Sequence, residues 1–279
     1  MGFQDLSKRL LFSSLILIVI ALILLFAYFP YVNWVIAVFL SLVGGIGMWE
    51  YVGLTKSNRT LLLFFGTILI FSFFLSSHFL CLTKLPWIIL FLGAVALFVY
   101  HFNKISGAAS SIALGFFGLC YVAIPIGPIF PILFLSTQVG GEGRYWVLYL
   151  LVVTKITDVG AYFGGKLLGK RKLATELSPA KTITGALFGF FSAIIFSLLF
   201  YRMHSFFPSV SFTLTESLWL GALLGCLGQV GDLAESLLKR DAGVKDSNRL
   251  PGLGGVLDML DSLLFTIPPV YLFLYFRVH

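Results

Sequence analysis

The sequence predicts an all-α protein, a polytopic membrane helix bundle of about nine transmembrane helices with a cytoplasmic N-terminus. The first indication is composition, because 59% of the 279 residues are hydrophobic, 16% are aromatic and only 11% are charged. These values and a mean hydropathy of +1.00 lie outside the range of soluble globular domains. The second is a series of apolar runs of about 20 residues, the length that crosses the ~30 Å hydrocarbon core of a bilayer.

The apolar runs follow one another with connections too short for a soluble domain. They occupy residues 10–29, 33–54, 60–80, 86–102, 107–127, 144–164, 182–202, 217–237 and 256–276. The first resembles a signal peptide because it follows Lys8 and Arg9, but its length and lack of a small-residue cleavage site favour a retained signal anchor. Three prolines in residues 123–134 predict that the helix breaks or ends early there, and that the segment forms the outer turn after span five.

The distribution of basic residues predicts which helix ends face the cytoplasm. With the N-terminus inside, the inner segments carry fourteen Lys and Arg residues, the outer segments carry four, and Lys155 lies within a span. Cytoplasmic segments retain Lys and Arg in this way. The net charge of +7 would suit anionic lipid head groups, although it mostly restates this bias. Membrane lipids are therefore expected partners, and nucleic acid is not. Cys81, Cys120 and Cys226 lie in or beside spans without a CxxC pair, which indicates neither a zinc site nor a disulfide framework.

Acidic residues concentrate near the predicted inner ends of spans six, eight and nine. They are Asp158, Asp232, Glu235, Asp258 and Asp261. Each costs roughly 2.5–3.5 kcal/mol to insert into a membrane, so such residues usually serve a function. A spacing of three residues puts the two acids of span eight on one helix face and the two acids of span nine on another. Up to four carboxylates could then surround a hard divalent ion such as Mg²⁺, which prefers oxygen ligands.

The alternative to a metal site is pairing of these acids with basic side chains. The candidate partners are Lys155, Lys239 and Arg240, and the spacing of Lys155 and Asp158 makes them the simplest ion pair. Glu50, in GMWEYVGL at the inner end of the second span, is the most notable charge in the first half of the chain. Because nearly all polar chemistry lies in the second half, we expect N-terminal transmembrane helices at 1–140 and a C-terminal transmembrane catalytic region at 141–279.

The loop between spans eight and nine has the features of a phosphate site. Lys239, Arg240 and Lys245 are cationic, and PGLGG at 251–255 places glycines just before a helix N-terminus. Free backbone N–H groups and the helix dipole favour anions at such a position. The alternative interpretation is a flexible turn with an N-terminal cap.

The loop at 164–185, between spans six and seven, also carries five cations. Its SPAKT segment predicts a turn followed by a helix start, with Ser178 and Thr182 as capping residues and Lys181 at the mouth of the bundle. A solvated basic loop is the alternative. Together the two loops and the acids predict an Mg²⁺ site at the cytoplasmic face that binds a phosphorylated or nucleotide substrate.

Several segments within residues 150–265 resemble one family. SLLKRDAGVKD, from residue 236, matches the pattern S-x-x-K-R-x4-K-D, and PGLGGVLDMLDS, from residue 251, is similar to the pattern P-G-H-G-G-x-x-D-R-x-D. They look like the signature of the phosphatidate cytidylyltransferase family, the CDP-diacylglycerol synthases. GDLAES, SPAKT and DVGAYFGGKLLGK are similar to other segments of that family, and WEYVGL in the first half is similar to an FEYxxL-like segment.

The resemblance implies a nucleotidyltransferase that uses Mg²⁺, CTP and phosphatidic acid to make CDP-diacylglycerol and pyrophosphate. Implied catalytic residues are Lys239, Asp246, Asp258 and Asp261, and implied metal ligands are Asp232, Asp258 and Asp261. Implied substrate-binding residues are Ser178, Lys181, Thr182, Arg240, Lys245, Gly252, Gly254 and Gly255. Related enzymes are often dimeric, so a homodimer is a further expectation. Nine spans suit a bacterial inner membrane, with the active site facing the cytoplasm.

The chain departs from the family pattern at three places. Leu253 and Met259 stand where the family commonly has His and Arg, and Thr184 stands where an acidic or amide residue is usual. Losing His and Arg removes two polar contacts to an anion, and Arg249 is a candidate substitute for one of them. Three alternatives therefore stay open: CTP-dependent activation of another phospholipid acid, an ion-coupled membrane carrier, and a diverged inactive relative.

Overall fold

The computed structural model describes residues 3–27, 29–135, 143–203, 213–245, 247 and 254–278. The predicted site residues Asp246 and Gly252 lie outside these ranges, as does the predicted domain boundary between residues 140 and 141. Two compact units make up the chain. The first comprises Met1–Pro131 and Ala242–Leu260, and the second comprises Ile132–Asp241 and Asp261–His279.

Helices account for most of the described residues, as the sequence predicts. In chain order they are α1 (Phe3–Phe26), α2 (Pro30–Thr55), α3 (Arg59–His78), α4 (Leu85–His101), α5 (Ala108–Gly118), α6 (Ile124–Ile126), α7 (Ile129–Leu133), α8 (Gly143–Leu168), α9 (Ile183–Arg202), α10 (Leu214–Asp241) and α11 (Val256–Val278). A 3-10 turn at Leu80–Leu82 precedes α4, and a π-helical turn at Leu119–Ala123 joins α5 to α6. Two short strands, β1 (Lys172–Ala174) and β2 (Ser178–Thr182), lie between α8 and α9.

Seven of the described helical segments are long and apolar enough to cross a membrane. They are Pro30–Thr55, Arg59–His78, Ala108–Leu133, Gly143–Leu168, Ile183–Arg202, Leu214–Asp241 and Val256–Arg277. Two shorter apolar helices, Ser14–Phe26 and Leu85–His101, coincide with the first and fourth predicted spans. The predicted class, an all-α membrane helix bundle, is confirmed, whereas the count of nine spans and the cytoplasmic N-terminus stay predictions.

The predicted break in 123–134 agrees with a turn at 127–128, but helical structure resumes at Ile129 and continues to Leu133, so the segment as a whole is not an outer turn. Pro125 directly follows the π-helical turn, inside a helix that continues from α5, and Pro128 lies in the turn at 127–128. Pro131 lies in the first turn of α7, where backbone N–H groups have no intrahelical partner, so a missing N–H costs little. The π-helical turn ahead of Pro125 widens the helix where the proline ring would otherwise meet the carbonyl of Tyr121.

Aromatic and polar contacts hold α2 in the first unit. Trp34 of α2 packs edge-on against Phe74 of α3, with ring centroids 4.9 Å apart. Tyr51 is fully buried, and its hydroxyl donates to the Leu114 carbonyl oxygen of α5 at 2.8 Å. These contacts fix both ends of α2, including the turn that carries Glu50.

In the second unit, α8 packs closely against the backbone of α9, and buried hydroxyl groups link α8 to both α9 and α11. A Cβ at Gly189 of α9 would come within 2.7 Å of the Thr157 carbonyl oxygen of α8, so a small residue is needed there. The Tyr149 hydroxyl lies 2.8 Å from the Ser197 hydroxyl, which links α8 to α9. In the same way, the Thr154 hydroxyl of α8 donates to the Thr266 hydroxyl of α11 at 3.1 Å.

The SPAKT segment forms a strand, so the predicted turn at this position is wrong. β2 pairs antiparallel with β1, with Ser178 opposite Ala174 and Thr182 opposite Lys172, and the turn lies earlier, at 175–177. Ser178 is therefore a strand residue and not a helix cap. The predicted helix start is confirmed, because α9 begins directly after Thr182, whose hydroxyl accepts the N–H of Gly185 at 3.1 Å.

Candidate active site

Asp232 of α10 is paired with Lys181 at the end of β2. Lys181 Nζ lies 2.6 Å from Asp232 Oδ2, and the two side chains keep 24% and 33% of their surface exposed. Lys181 is held on one side by the hairpin ladder and on the other by the Thr182 cap of α9. The structure thus brings together two predicted site residues, one from the basic loop and one from a membrane helix.

The next acid of α10, Glu235, is fully buried and forms an ion pair with Lys239, one helical turn later. A buried carboxylate is stable only when it is paired or hydrogen-bonded. Pairing with a lysine, the alternative to a metal site, therefore accounts for Glu235, although the lysine lies on the same helix. The adjacent Arg240 donates from Nε to the Leu177 carbonyl oxygen at 3.2 Å, which fastens the end of α10 to the hairpin turn.

Three acids of the second unit lie on separate helices. Lys155 and Asp158 form the ion pair predicted from their spacing, with 3.6 Å between Nζ and Oδ2. Asp232 follows Gly231, whose backbone meets that of Asp261, so these two acids lie on adjoining turns of α10 and α11.

Asp261 is buried where α11 approaches α10. A Cβ at Gly231 of α10 would come within 2.5 Å of the Asp261 carbonyl oxygen, so glycine is required for the two backbones to lie this close. The Asp261 carboxylate accepts the N–H and the hydroxyl of Ser262, the hydroxyl at 2.9 Å. These bonds orient the carboxylate within the second unit.

The donor atoms in the second unit fit Mg²⁺ in their chemistry. Mg²⁺ prefers oxygen ligands and usually needs only one or two carboxylates, together with waters and substrate phosphates. Asp232 and Asp261 supply carboxylates from helices whose backbones meet at Gly231, and a cation near both would offset the repulsion between two such like charges. Within the part of the chain that the structure describes, no group of three or more His, Cys, Asp and Glu side chains could hold a metal ion. A site built here would thus depend on two carboxylates and the substrate.

In the first unit, the predicted Gly-rich loop leads into the N-terminus of α11. Gly254 has φ of +82°, a left-handed conformation that glycine adopts without steric cost. The N–H of Gly255 donates to Asp258 Oδ2, and Ser247 donates to the same oxygen from its N–H at 3.2 Å and its hydroxyl at 3.0 Å. Asp258 thus reaches back to cap its own helix, like the acidic residue of a capping box.

Glu50 of α2 caps the same helix end. Its carboxylate accepts the N–H groups of Val256 at 3.0 Å and Leu257 at 2.7 Å, and the Ser247 hydroxyl lies 2.9 Å away. Glu50 is only 2% exposed, and a Cβ on Gly255 would overlap its carboxylate. The helix N-terminus that the sequence predicts as a phosphate site is therefore bonded to two carboxylates of the chain itself.

Two other predicted binding residues lie in different surroundings. Ser178 is half-buried in β2, and Lys245 is exposed in the bend after α10. The substrate-binding roles of these residues, and of Gly254 and Gly255, stay predictions. What the structure adds for the two glycines is a conformational role in the entry to α11.

Comparison of the sequence with known proteins shows to which family the chain belongs. A sequence model of the cytidylyltransferase family matches residues 7–277. The chain belongs to the cytidylyltransferase family. The phosphatidate cytidylyltransferase of Chlamydia pneumoniae is 32% identical over 290 residues, which cover 98% of this chain and 93% of that protein. The protein of the same name from Chlamydia muridarum is 32% identical over 289 residues, covering 96% and 92%. That of Staphylococcus aureus is 44% identical over 128 residues, covering 46% and 48%. The family resemblance read from the motifs is confirmed.

Two residues at the entry to α11 in this family member were assigned no role from the sequence, Glu50 and Ser247. Glu50 is separated from Val256 by 206 residues, so no spacing rule could pair them. A signal was present nonetheless. Glu50 is an acid in an apolar span, and Gly255, which precedes α11, has no side chain with which to cap it.

Proposed function

We propose that this chain is a phosphatidate cytidylyltransferase, which transfers CMP from CTP to phosphatidic acid and yields CDP-diacylglycerol and pyrophosphate. The observation that carries the proposal is similarity over nearly the full length to relatives of that name. The alignment covers 98% of this chain for the Chlamydia pneumoniae protein and 96% for the Chlamydia muridarum protein. The acids and lysines of the second unit also suit a reaction between two phosphates, because lysines can bind phosphate groups and carboxylates can bind a metal ion.

The proposed reaction joins two anions at phosphorus. A phosphate oxygen of phosphatidic acid attacks the α-phosphorus of CTP, and the bond from that phosphorus to the oxygen bridging to the β-phosphate breaks. Pyrophosphate leaves with the bonding electron pair, so no nucleophile from the protein is required. Because both reactants are negatively charged, positioning and charge neutralisation would supply most of the catalysis.

Cationic side chains of the chain are proposed to hold the phosphates. Lys245 is exposed and is the proposed first contact of an incoming phosphate. Lys181 and Lys239 already face carboxylates, so a phosphate that binds either lysine must share its charge with Asp232 or Glu235. Before the substrate arrives, the two acids hold the lysines in place.

Mg²⁺ is the proposed cofactor, with Asp232, Asp258 and Asp261 as its proposed ligands. When bound, it would supply positive charge that offsets the repulsion among carboxylates and phosphates. The close approach of α10 and α11 at Gly231 supports this assignment, because two carboxylates on adjoining turns would repel each other without a cation. Asp246 is proposed as a further catalytic residue from its place in the motif.

We also propose that the protein lies in the bacterial inner membrane with its active site facing the cytoplasm. The Chlamydia and Staphylococcus relatives are bacterial, and the excess of basic residues on the predicted inner segments supports the orientation. A homodimer remains an expectation from the family resemblance alone.

Release of labelled pyrophosphate from γ-labelled CTP tests the proposed reaction. The purified chain in detergent would receive CTP, phosphatidic acid and Mg²⁺, with lipid or metal omitted in parallel samples. We expect label release only when both are present. Asp258→Asn should lose release, whereas Glu216→Gln, a matched acid-to-amide change at a glutamate that pairs with Arg277, should keep it.

The outcomes of this assay separate the alternatives. No release from folded protein would contradict the proposal and favour a carrier or an inactive relative. A strict preference for an ether-linked acid in a lipid competition assay would move the substrate to another phospholipid acid. Release at an ordinary rate would also mean that Leu253 and Met259 are tolerated where the family commonly has His and Arg.

A further inference from the structure

We infer that Glu50 is a positioning residue for Asp258, and that it acts by holding the N-terminus of α11 from a distant helix. The inference rests on the proposed function, because it assigns Glu50 to the CMP transfer in which Asp258 takes part. Glu50 directly contacts the first two N–H groups of α11, at 3.0 and 2.7 Å, and the Ser247 hydroxyl at 2.9 Å.

Glu50 replaces a missing cap. The residue before α11 is Gly255, which has no side chain to accept the N–H groups of the first turn. Those N–H groups carry partial positive charge and need acceptors, most of all in a buried place. Glu50 is 2% exposed and supplies a charged acceptor with two oxygens, one for each N–H group. The glycine is required in turn, because a Cβ there would overlap the Glu50 carboxylate.

Ser247 links Glu50 to Asp258. The Ser247 hydroxyl lies 2.9 Å from Glu50 Oε2 and 3.0 Å from Asp258 Oδ2, and its single proton can be donated to only one of them at a time. The Ser247 N–H also donates to Asp258 at 3.2 Å. The orientation of the Asp258 carboxylate is therefore set by groups whose own positions depend on Glu50.

The anchor itself is rigid. Glu50 is followed by Tyr51, a fully buried side chain whose hydroxyl donates to the Leu114 carbonyl oxygen at 2.8 Å. An acid fixed in this way can define where the first turn of α11 begins. A neutral amide at this position would keep one acceptor but place an NH₂ group against an N–H of the helix, so the first turn should shift.

The test compares Glu50→Gln and Glu50→Ala with the wild type and with Glu216→Gln. Glu216 is a matched control, because it also accepts a backbone N–H at a helix start, that of Thr213 at 2.6 Å, but on α10. For each purified variant, kcat and KM for both substrates would be measured in the pyrophosphate-release assay over a range of Mg²⁺ concentrations. Hydrogen exchange of the peptide covering 254–260 would report the first turn of α11 independently of activity.

We expect Glu50→Gln to lower kcat about 10-fold to 100-fold, the loss typical of a catalytic group displaced by about 1 Å. The KM for phosphatidic acid should change little, the Mg²⁺ concentration at half-maximal rate should rise, and exchange in 254–260 should become faster. Glu50→Ala should show the same changes more strongly, and Glu216→Gln should show none of them.

Different results would contradict the proposed function and the role of Glu50. If the wild type transfers no CMP, the proposed function is wrong, and the exchange data still decide whether Glu50 holds α11. If the wild type is active and folded Glu50→Gln matches its kcat and its Mg²⁺ dependence, Glu50 does not position Asp258. Loss of activity only in proportion to lost folded protein, with wild-type kcat in the remainder, would also overturn the inference and leave a purely structural role.

Discussion

Removing the Lys239 ammonium while Glu235 stays in place is expected to destabilise the fold strongly. The side chain of Glu235 is 0% exposed and that of Lys239 is 12% exposed, so water cannot solvate the carboxylate in place of the ammonium. Breaking a buried ion pair by removing one partner costs about 3–5 kcal/mol. We expect Lys239→Met, which keeps the volume of the aliphatic stem, to lower the free energy of unfolding by that amount.

The double variant Glu235→Gln with Lys239→Met should recover most of this loss, because no buried charge is then left without its counter-charge. Chemical or thermal unfolding in detergent of the wild type, the two single variants and the double variant completes a double-mutant cycle. The same four proteins would be assayed for pyrophosphate release. If Lys239 also holds a substrate phosphate, the double variant should fold like the wild type and remain inactive.

Two results would refute this reasoning. A Lys239→Met variant whose unfolding free energy stays within about 1 kcal/mol of wild type, the scale of an ordinary substitution, would mean that Glu235 is stabilised without the lysine. A double variant with wild-type kcat would remove Lys239 from the proposed catalytic residues. The two results are independent, since one concerns stability and the other turnover.

Other substitutions test the remaining contacts. Asp258→Asn should abolish Mg²⁺-dependent turnover yet leave folding and membrane insertion intact, because the amide oxygen can still accept the N–H of Gly255; near-normal turnover would exclude Asp258 as a ligand. Gly231→Ala should lower the unfolding free energy by about 1–3 kcal/mol, since the new Cβ would press on the Asp261 carbonyl oxygen, and an unchanged unfolding curve would contradict that contact. Thr182→Ala should cost about 0.5–2 kcal/mol by removing the cap of α9, whereas Thr182→Ser should keep it, as unfolding measurements on the two variants would show.

The helices could be predicted from the sequence because each obeys a rule of length and hydropathy. Their ends could not be predicted as well, since polar residues continue a helix beyond its apolar stretch. The span predicted at 217–237 is part of Leu214–Asp241, a helix that adds Glu216 at one end and Lys239 at the other. Hydropathy marks the membrane core of a helix, whereas backbone hydrogen bonds decide where it stops.

Two segments depart from their predictions because a local rule competes with the surrounding structure. SPAKT contains turn-forming residues, but its backbone is satisfied by β1, and nothing within the segment reveals that partner. The prolines of 123–134 predict a break, and the chain does turn at 127–128, but helical structure resumes at Ile129. Pro131 is tolerated because it lies in the first turn of α7, a position that depends on where the preceding turn ends.

The acids of the candidate site could be found from the cost of placing charge in a membrane helix, but most of their partners could not. The pair of Lys155 and Asp158 follows from spacing along one helix. The pair of Lys181 and Asp232 depends on how a hairpin packs against α10, and the bonds of Glu50 depend on contacts between distant parts of the chain. Local rules identify charged residues that need a partner, and tertiary structure selects the partner.

The β hairpin has a consequence for how Lys181 can be manipulated. Ordering a residue that was free in a loop costs about 1–2 kcal/mol of backbone entropy. Lys181 avoids this cost on meeting Asp232, because it stands between a strand ladder and a helix cap that hold it beforehand. Inserting uncharged residues into the turn at 175–177 would make the backbone of Lys181 more mobile without changing any charge. The effect would measure how much the stability of the ion pair depends on that ordered backbone.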